Sequence, residues 1–132
     1  MAPLAHFELP LHTSPKGRIR GILHVFVWQT ATEMRRTCAR KAEQPFVEWK
    51  DAYAAHISDG DRHEIHLWIR HINAAVWSHE MQHFMTYWIK QHLTWPLTRF
   101  QNERMAWMCG AATGEFWDQL YDTFDVFRPG KL

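Results

Sequence analysis

Residues 74–91 constrain the fold most, because large apolar side chains recur there at three- and four-residue spacing. That period places them along one side of an α-helix, and Asn73 is a residue type that caps a first helical turn. Such a helix is stable in water only when its apolar side packs on other secondary structure. The sequence therefore predicts a helix that rests on a sheet or on further helices. The apolar positions are Val76, Trp77, Met81, Phe84, Met85 and Trp88.

The partner of this helix is predicted to be a small sheet. Residues 18–28 contain the β-branched and apolar run GILHVFVW, which indicates a strand that is buried on both faces over its second half. In residues 53–69, two short runs flank Asp59-Gly60, a hairpin signal, and the second run alternates apolar and polar residues. These three strands predict a small, mostly antiparallel three-stranded sheet.

Two further helices complete the prediction of an α+β fold. Residues 30–41 are rich in good helix formers. Thr98 and Gln101 match the S/T-x-x-E/Q capping box, so a last helix should begin at Thr98 and can run as far as Tyr121. Residues 1–17 hold three of the six prolines and are expected to form an irregular arm. All 132 residues are expected to form one domain.

Composition and charge exclude several classes of protein. The formal net charge is +1 and no stripe of lysine and arginine follows the chain, so nucleic acid is not an expected partner. No apolar run reaches the roughly eighteen residues of a membrane-spanning helix, and the N-terminus lacks the pattern of a secretory signal. The cysteines Cys38 and Cys109 form no CxxC pair. A cytoplasmic protein with reduced thiols is the expectation, with its oligomeric state left open.

Residues 79–83 read His-Glu-Met-Gln-His, the HExxH pattern, inside the predicted amphipathic helix. One helical turn separates His79 from His83, so both imidazoles lie on one face and can share a zinc ion (Zn2+) at about 2.0–2.1 Å. Glu80 projects to the side of that pair, near enough to hold a water beside the metal without ligating it. Zinc lowers the pKa of a water that it binds toward ~7, and a carboxylate so placed can act as general base.

A catalytic zinc takes three protein ligands, so one more is needed beside His79 and His83. Glu103 follows twenty residues after His83, near the start of the predicted last helix. An antiparallel return of the chain would carry it back toward the histidine pair. His92, or another histidine or aspartate, stays open as the third ligand. Ile89 stands where the metzincin pattern would have its third histidine, which excludes that class.

Other residues with potential chemistry give weaker indications. His63, His66 and His71 would suggest a second metal site, but two of them fall in one predicted strand with no further ligand defined. We interpret them as isolated strand histidines. Tyr53 and Tyr121 could each polarise a substrate carbonyl, and nothing in the sequence ranks one above the other.

The two motifs together resemble those of the gluzincins, metallopeptidases in which HExxH is completed by a Glu from a following helix. The pair Asn102-Glu103 has the offset of the thermolysin-like branch, although Trp107 stands where that branch has an acidic residue. Residues 103–106 are also similar to the E-x-x-A of the small bacterial and phage ImmA/IrrE-type peptidases, whose asparagine-containing extension is missing here. The resemblance implies a zincin-like fold, in which the sheet packs on the HExxH helix and a Glu-bearing helix. The ligands that it implies are His79, His83 and Glu103.

The resulting hypothesis is a zinc-dependent metallopeptidase that hydrolyses a bond within a peptide or protein substrate, with Glu80 as the general base. The alternative is a catalytically inactive zinc-binding protein that binds a protein partner through its many tryptophans. Glu80 distinguishes the two, because a purely structural zinc site has no use for a carboxylate beside the metal. The small size of the chain would suit a phage-encoded protein with a narrow target.

Overall fold

Four strands form one mixed sheet in the computed structural model, which describes residues 2–130. Strand β1 (Ala5–Pro10) is antiparallel to β2 (Ile22–Trp28), and β3 (Ala54–Asp59) is antiparallel to β4 (Arg62–Trp68). The central pair, β2 and β4, is parallel, which gives the order β1-β2-β4-β3. The α+β class is therefore confirmed. The prediction of three strands is wrong, because the sheet has four; two of its three strand pairs are antiparallel, and the parallel central pair makes it mixed.

Strand β1 replaces part of the irregular arm expected for residues 1–17. Phe7 and Leu9 are buried, whereas His6 and Glu8, which alternate with them, are exposed, as in a strand with one face on the core. Pro10 ends the strand at the outer edge of the sheet, where a missing N–H is tolerated.

Helix α1 (Ala31–Lys41) explains the parallel pairing at the centre of the sheet. It follows β2 and precedes β3 and β4, so it belongs to a crossover connection of the kind that parallel strands require. The hydroxyl of Thr30 caps it by accepting a hydrogen bond from the Glu33 N–H at 3.2 Å. Met34 and Cys38 are fully buried and pack on one face of the sheet, which we call the α1 face. Residues of the strands in this contact are Trp28, Ala55 and Ile57.

Helices α2 (Ala74–His92) and α3 (Arg99–Thr123) cover the opposite face of the sheet. Asn73 Oδ1 accepts a hydrogen bond from the Val76 N–H at 2.9 Å, as the predicted N-cap requires. Both hydrogen bonds of the capping box at Thr98 are formed, so the predicted helix start is confirmed. Helix α2 lies over β3 and helix α3 lies over β1. The strands contribute Leu23, Val25, Val27, Ile65 and Leu67 to the core under these helices.

Short 3-10 helices at Phe46–Trp49 and Ile69–His71 lie between the larger elements, and another, Asp125–Phe127, follows α3. The β3–β4 hairpin turns at Gly60, whose φ of 60° lies in the left-handed region that glycine adopts without strain. Within residues 2–130, no helix combines the length and the apolar character that crossing a membrane would demand.

Candidate metal centre

His79 and His83 meet on the exposed side of α2. Their Nε2 atoms lie 3.1 Å apart, and one ring donates a hydrogen bond to the other across a T-shaped contact. Two nitrogens that share a tetrahedral zinc at about 2.0–2.1 Å are separated by about 3.3 Å. The two nitrogens are thus within a few tenths of an ångström of the separation of a ligand pair, and ligation would require loss or transfer of the bridging proton and rotation of both lone pairs toward the ion. Helix geometry alone produces this arrangement, because the two residues are one turn apart.

Glu80 lies beside this pair and is buried, with only 5% of its surface exposed. Its Oε2 atom has no hydrogen-bond partner among residues 2–130. Burial raises the pKa of this carboxyl group, and the nearby His79 acts in the opposite direction. A buried carboxylate oxygen without a partner is costly, so this atom marks a place where a water, a proton or a cation belongs. The two histidines supply two of the three protein ligands that a catalytic zinc takes, and the carboxylate lies beside them.

A cleft of about 340 Å³ opens in front of Glu80 and His79. Its wall includes Tyr53 and His71, whose rings pack together with centroids 4.8 Å apart. Tyr121, by contrast, lies near the end of α3 and packs on Trp117, and it does not line this cleft. The structure thus ranks the two tyrosines that the sequence left equal, because only Tyr53 lies beside the HExxH residues.

A chain of histidines holds α2 to the hairpin on the His83 side. His56 Nε2 and His63 Nδ1 form a hydrogen bond at 3.0 Å, and His63 Nε2 donates a hydrogen bond to Gln91 Oε1 at 2.8 Å. Burial, with further contributions from the nearby His63 and His83, lowers the pKa of His56 to about 4. These rings are therefore neutral at pH 7, and each donates from one nitrogen and accepts at the other. Gln91 also donates to the Gly60 carbonyl at 2.7 Å, which fixes the helix on the β3–β4 turn.

The structure does not bring Glu103 to the histidine pair. Glu103 is exposed on the first turns of α3, and α3 runs along the flank of α2 that carries Met85 and Ile89. His83 lies on the other flank, toward His56 and the hairpin. Among residues 2–130, Glu103 belongs to no group of three potential ligands.

His92, the alternative third ligand, does not approach the pair either. Its ring packs on Trp88 with centroids 4.1 Å apart and lines a separate cavity with Thr13 and Arg20. The structure therefore places His79, His83 and Glu80 together and supplies no third ligand from the two positions considered.

His63 and His66 are three residues apart on β4 and therefore lie on opposite faces of the sheet. His66 Nδ1 accepts a hydrogen bond from Trp28 Nε1 at 3.0 Å, and its Nε2 donates to Glu64 Oε1 at 2.8 Å. Burial acts to raise the pKa of Glu64, but hydrogen bonds from His66, Lys41 and Arg62 outweigh it and hold the pKa well below its ordinary value. This is a buried ion network, and the part of the chain that the structure describes gives the three histidines 63, 66 and 71 no shared metal site.

A second cluster of potential metal ligands was not predicted from the sequence. His6, Glu8 and His24 have ligand atoms that all lie within 4.8 Å of one another on the α1 face. The signal was present, because His6 and Glu8 alternate with buried apolar residues as in a strand. Seeing it required the pairing of β1 with β2, which places Glu8 directly opposite His24.

Comparison of this chain with protein-family models, with curated proteins and with solved structures found no match in any of the three.

Proposed function

We propose that this protein is a zinc-dependent metallopeptidase in which His79 and His83 hold the metal and Glu80 is the general base. One observation carries the proposal. The Nε2 atoms of His79 and His83 are 3.1 Å apart, and His79 lines a cleft together with Glu80, whose buried Oε2 atom has no hydrogen-bond partner among residues 2–130. A structural zinc site has no need of that carboxylate, whereas hydrolysis needs it.

Each residue of the cleft has a role in this proposal. A zinc ion on the two histidines would polarise water and the substrate carbonyl as a Lewis acid. Glu80 Oε2, whose lone pairs are free, would take a proton from the attacking water and return it to the leaving amine. Tyr53 and His71 on the facing wall would donate hydrogen bonds to the carbonyl oxygen as negative charge develops there.

The substrate is proposed to be an extended segment of a peptide or protein. Strand β3 is an edge strand, and Ala54 at its beginning lines the cleft beside Tyr53. An extended peptide can pair with a free strand edge through main-chain hydrogen bonds. Pairing with β3 would carry its backbone past Glu80 and His79.

Glu103 is proposed as the third ligand from its spacing in the sequence. Ligation would require the first turns of α3 to move toward His83, because α3 now lies along the other flank of α2. His71 in the cleft wall is the competing candidate. Zinc affinity of Glu103→Gln and His71→Gln, each compared with wild type, identifies which of the two side chains ligates.

The deciding experiment separates metal binding from hydrolysis. Zinc content, melting temperature and cleavage of a peptide library are measured for wild type and for Glu80→Gln, with the exposed Glu48→Gln as matched control. We expect Glu80→Gln to keep its zinc and its fold and to lose about 10²–10⁴-fold in cleavage rate, because an amide cannot accept the proton. Equal cleavage by Glu80→Gln with its zinc bound would refute the assigned role of Glu80.

A second candidate function is an inactive zinc-binding protein that binds a protein partner. Trp95, on the connection between α2 and α3, is 74% exposed, and Phe100, in the first turn of α3, is 65% exposed. Large aromatic side chains of this kind are enriched at protein interfaces. Wild type that binds zinc but cleaves no peptide, and loses a bound partner on Trp95→Ala but not on Glu80→Gln, would favour this function.

A further inference from the structure

Three potential metal ligands converge on the first two strands of the sheet. Glu8 on β1 lies directly opposite His24 on β2, and His6 precedes Glu8 by two residues and so lies on the same face. His6 Nε2 and His24 Nδ1 are 2.9 Å apart, and the three ligand atoms all lie within 4.8 Å of one another. His6 and Glu8 are exposed and His24 is half-buried, so an ion can reach them from solvent.

We propose that His6, Glu8 and His24 form a binding site for a divalent transition-metal ion of the zinc type. Two imidazoles and one carboxylate are a donor set that suits Zn2+ and its neighbours, whereas Mg2+ and Ca2+ prefer all-oxygen sites. The hydrogen bond between the two rings shows that one nitrogen lone pair already points at the other ring. Binding requires each nitrogen to turn its lone pair to the ion, with the bridging proton released or moved to another ring nitrogen.

The surroundings of the site hold its ligands in place. The His6 ring stacks on Phe26 with centroids 4.3 Å apart and an interplanar angle of 9°. Phe26 in turn stacks on the buried His66 ring at 4.9 Å. Ligands on paired strands and on a row of stacked rings lose little freedom on binding, which favours affinity.

The fourth coordination position is left to water or to a further ligand. Glu64 lies opposite His24 on β4, the other neighbour of β2. Its two carboxylate oxygens are already paired with Lys41 and Arg62 at 2.6 Å each, so it is not counted as a ligand. Arg62 also adds positive charge near His24, which weakens cation binding at this point. Three protein ligands with an open position are therefore the arrangement that the strands provide.

This site is independent of the one on α2, because His24 alternates along β2 with the core residues Leu23 and Val25. The ligands thus lie on the α1 face, and α2 covers the other face of the sheet. The inference does not rest on the proposed peptidase function, and either site can exist without the other.

The test counts metal ions with the α2 pair removed. Full-length His79→Ala/His83→Ala protein is dialysed against Zn2+, and Co2+ absorption reports the ligand environment. We expect one zinc per chain in this variant, and at least a tenfold loss of affinity on adding either His24→Ala or the shape-conserving Glu8→Gln. Adding His12→Ala, a histidine outside the cluster, should change nothing.

Two outcomes would overturn the proposal. One is a double variant that binds no zinc while circular dichroism shows it folded. The other is a double variant whose zinc persists at full affinity after both His24→Ala and Glu8→Gln. If the His24→Ala protein, in which His79 and His83 are intact, binds no zinc, the peptidase proposal is contradicted and the present proposal is unaffected.

Discussion

The indole ring of Trp77 lies flat on the phenyl ring of Phe116, with centroids 3.9 Å apart and an interplanar angle of 1°. The same indole N–H donates a hydrogen bond to Thr113 Oγ1 at 2.9 Å. These contacts join the first turn of α2 to the second half of α3, so the two helices run antiparallel. They also fix which flank of α2 faces α3, and that choice leaves His83 on the side of the hairpin.

Replacing Thr113 with Val should destabilise the protein by about 1–3 kcal/mol, because the Trp77 N–H would then be buried without an acceptor. Thr113→Ser, which keeps the hydroxyl group, is the matched control and should lose much less. Urea unfolding of both variants measures the difference. If Val and Ser behave alike, the indole N–H does not depend on this hydroxyl.

Replacing Gly110 or Gly114 with Ala should stabilise the protein by about 0.5–1 kcal/mol each, because alanine is the better helix former. Both glycines lie within α3, and a Cβ added at either position meets no atom within 4 Å. Gly60→Ala, at a φ of 60°, is the opposite case and should destabilise. Thermal unfolding of the three variants tests this pattern, and a lower melting temperature for both helix variants would contradict it.

Stability should fall as the pH is lowered from 7 to 5. The pKa of His56 is about 4 in the folded protein against 6.5 ordinarily. Between these two pH values the unfolded chain is protonated at His56 and the folded chain is not. The stability that neutral His56 contributes is complete above about pH 6.5 and decreases toward pH 4. For His56 alone the loss between pH 7 and pH 5 is on the order of 2 kcal/mol.

Burial also lowers the pKa of His63 and of His66, so these rings add to the same trend. The measurement is urea unfolding at several pH values in the presence of a chelator, for wild type and for His56→Gln. The variant should show a shallower dependence on pH, whatever its absolute stability. Parallel curves for the two proteins would show that His56 titrates normally in the folded state.

Zinc should raise the melting temperature through the α2 pair. A ligand at one hundred times its Kd stabilises the folded state by about 2.7 kcal/mol. The measurement uses the His24→Ala background, so that the cluster on β1 and β2 does not contribute, and compares it with the same protein carrying His83→Ala. The increase should disappear in the second protein. An equal increase in both would place the ion away from His83.

Local signals in the sequence determined the helix ends and the histidine pair. The N-cap at Asn73 and the capping box at Thr98 depend on groups within three residues of one another, and both formed as predicted. The approach of His79 to His83 likewise needs only one helical turn, so no other part of the fold is involved. The hairpin around Gly60 belongs to the same class, because its turn and its two strands are contiguous.

Only the tertiary structure decided the contacts between distant segments. The pairing of β1 with β2 brings together His6 and His24, which are separated by 18 residues, and neither side chain carries a local sign of the other. The position of Glu103 depends on which flank of α2 receives α3, and that is decided by the packing of rings such as Trp77 and Phe116. The periodicity of a helix does not specify which flank its neighbour packs against, because hydrophobic burial is non-directional and the same apolar stripe can be covered from either flank. The sequence therefore determined the ligand pair that lies one helical turn apart, His79 and His83, and the tertiary structure determined which residues from distant segments meet.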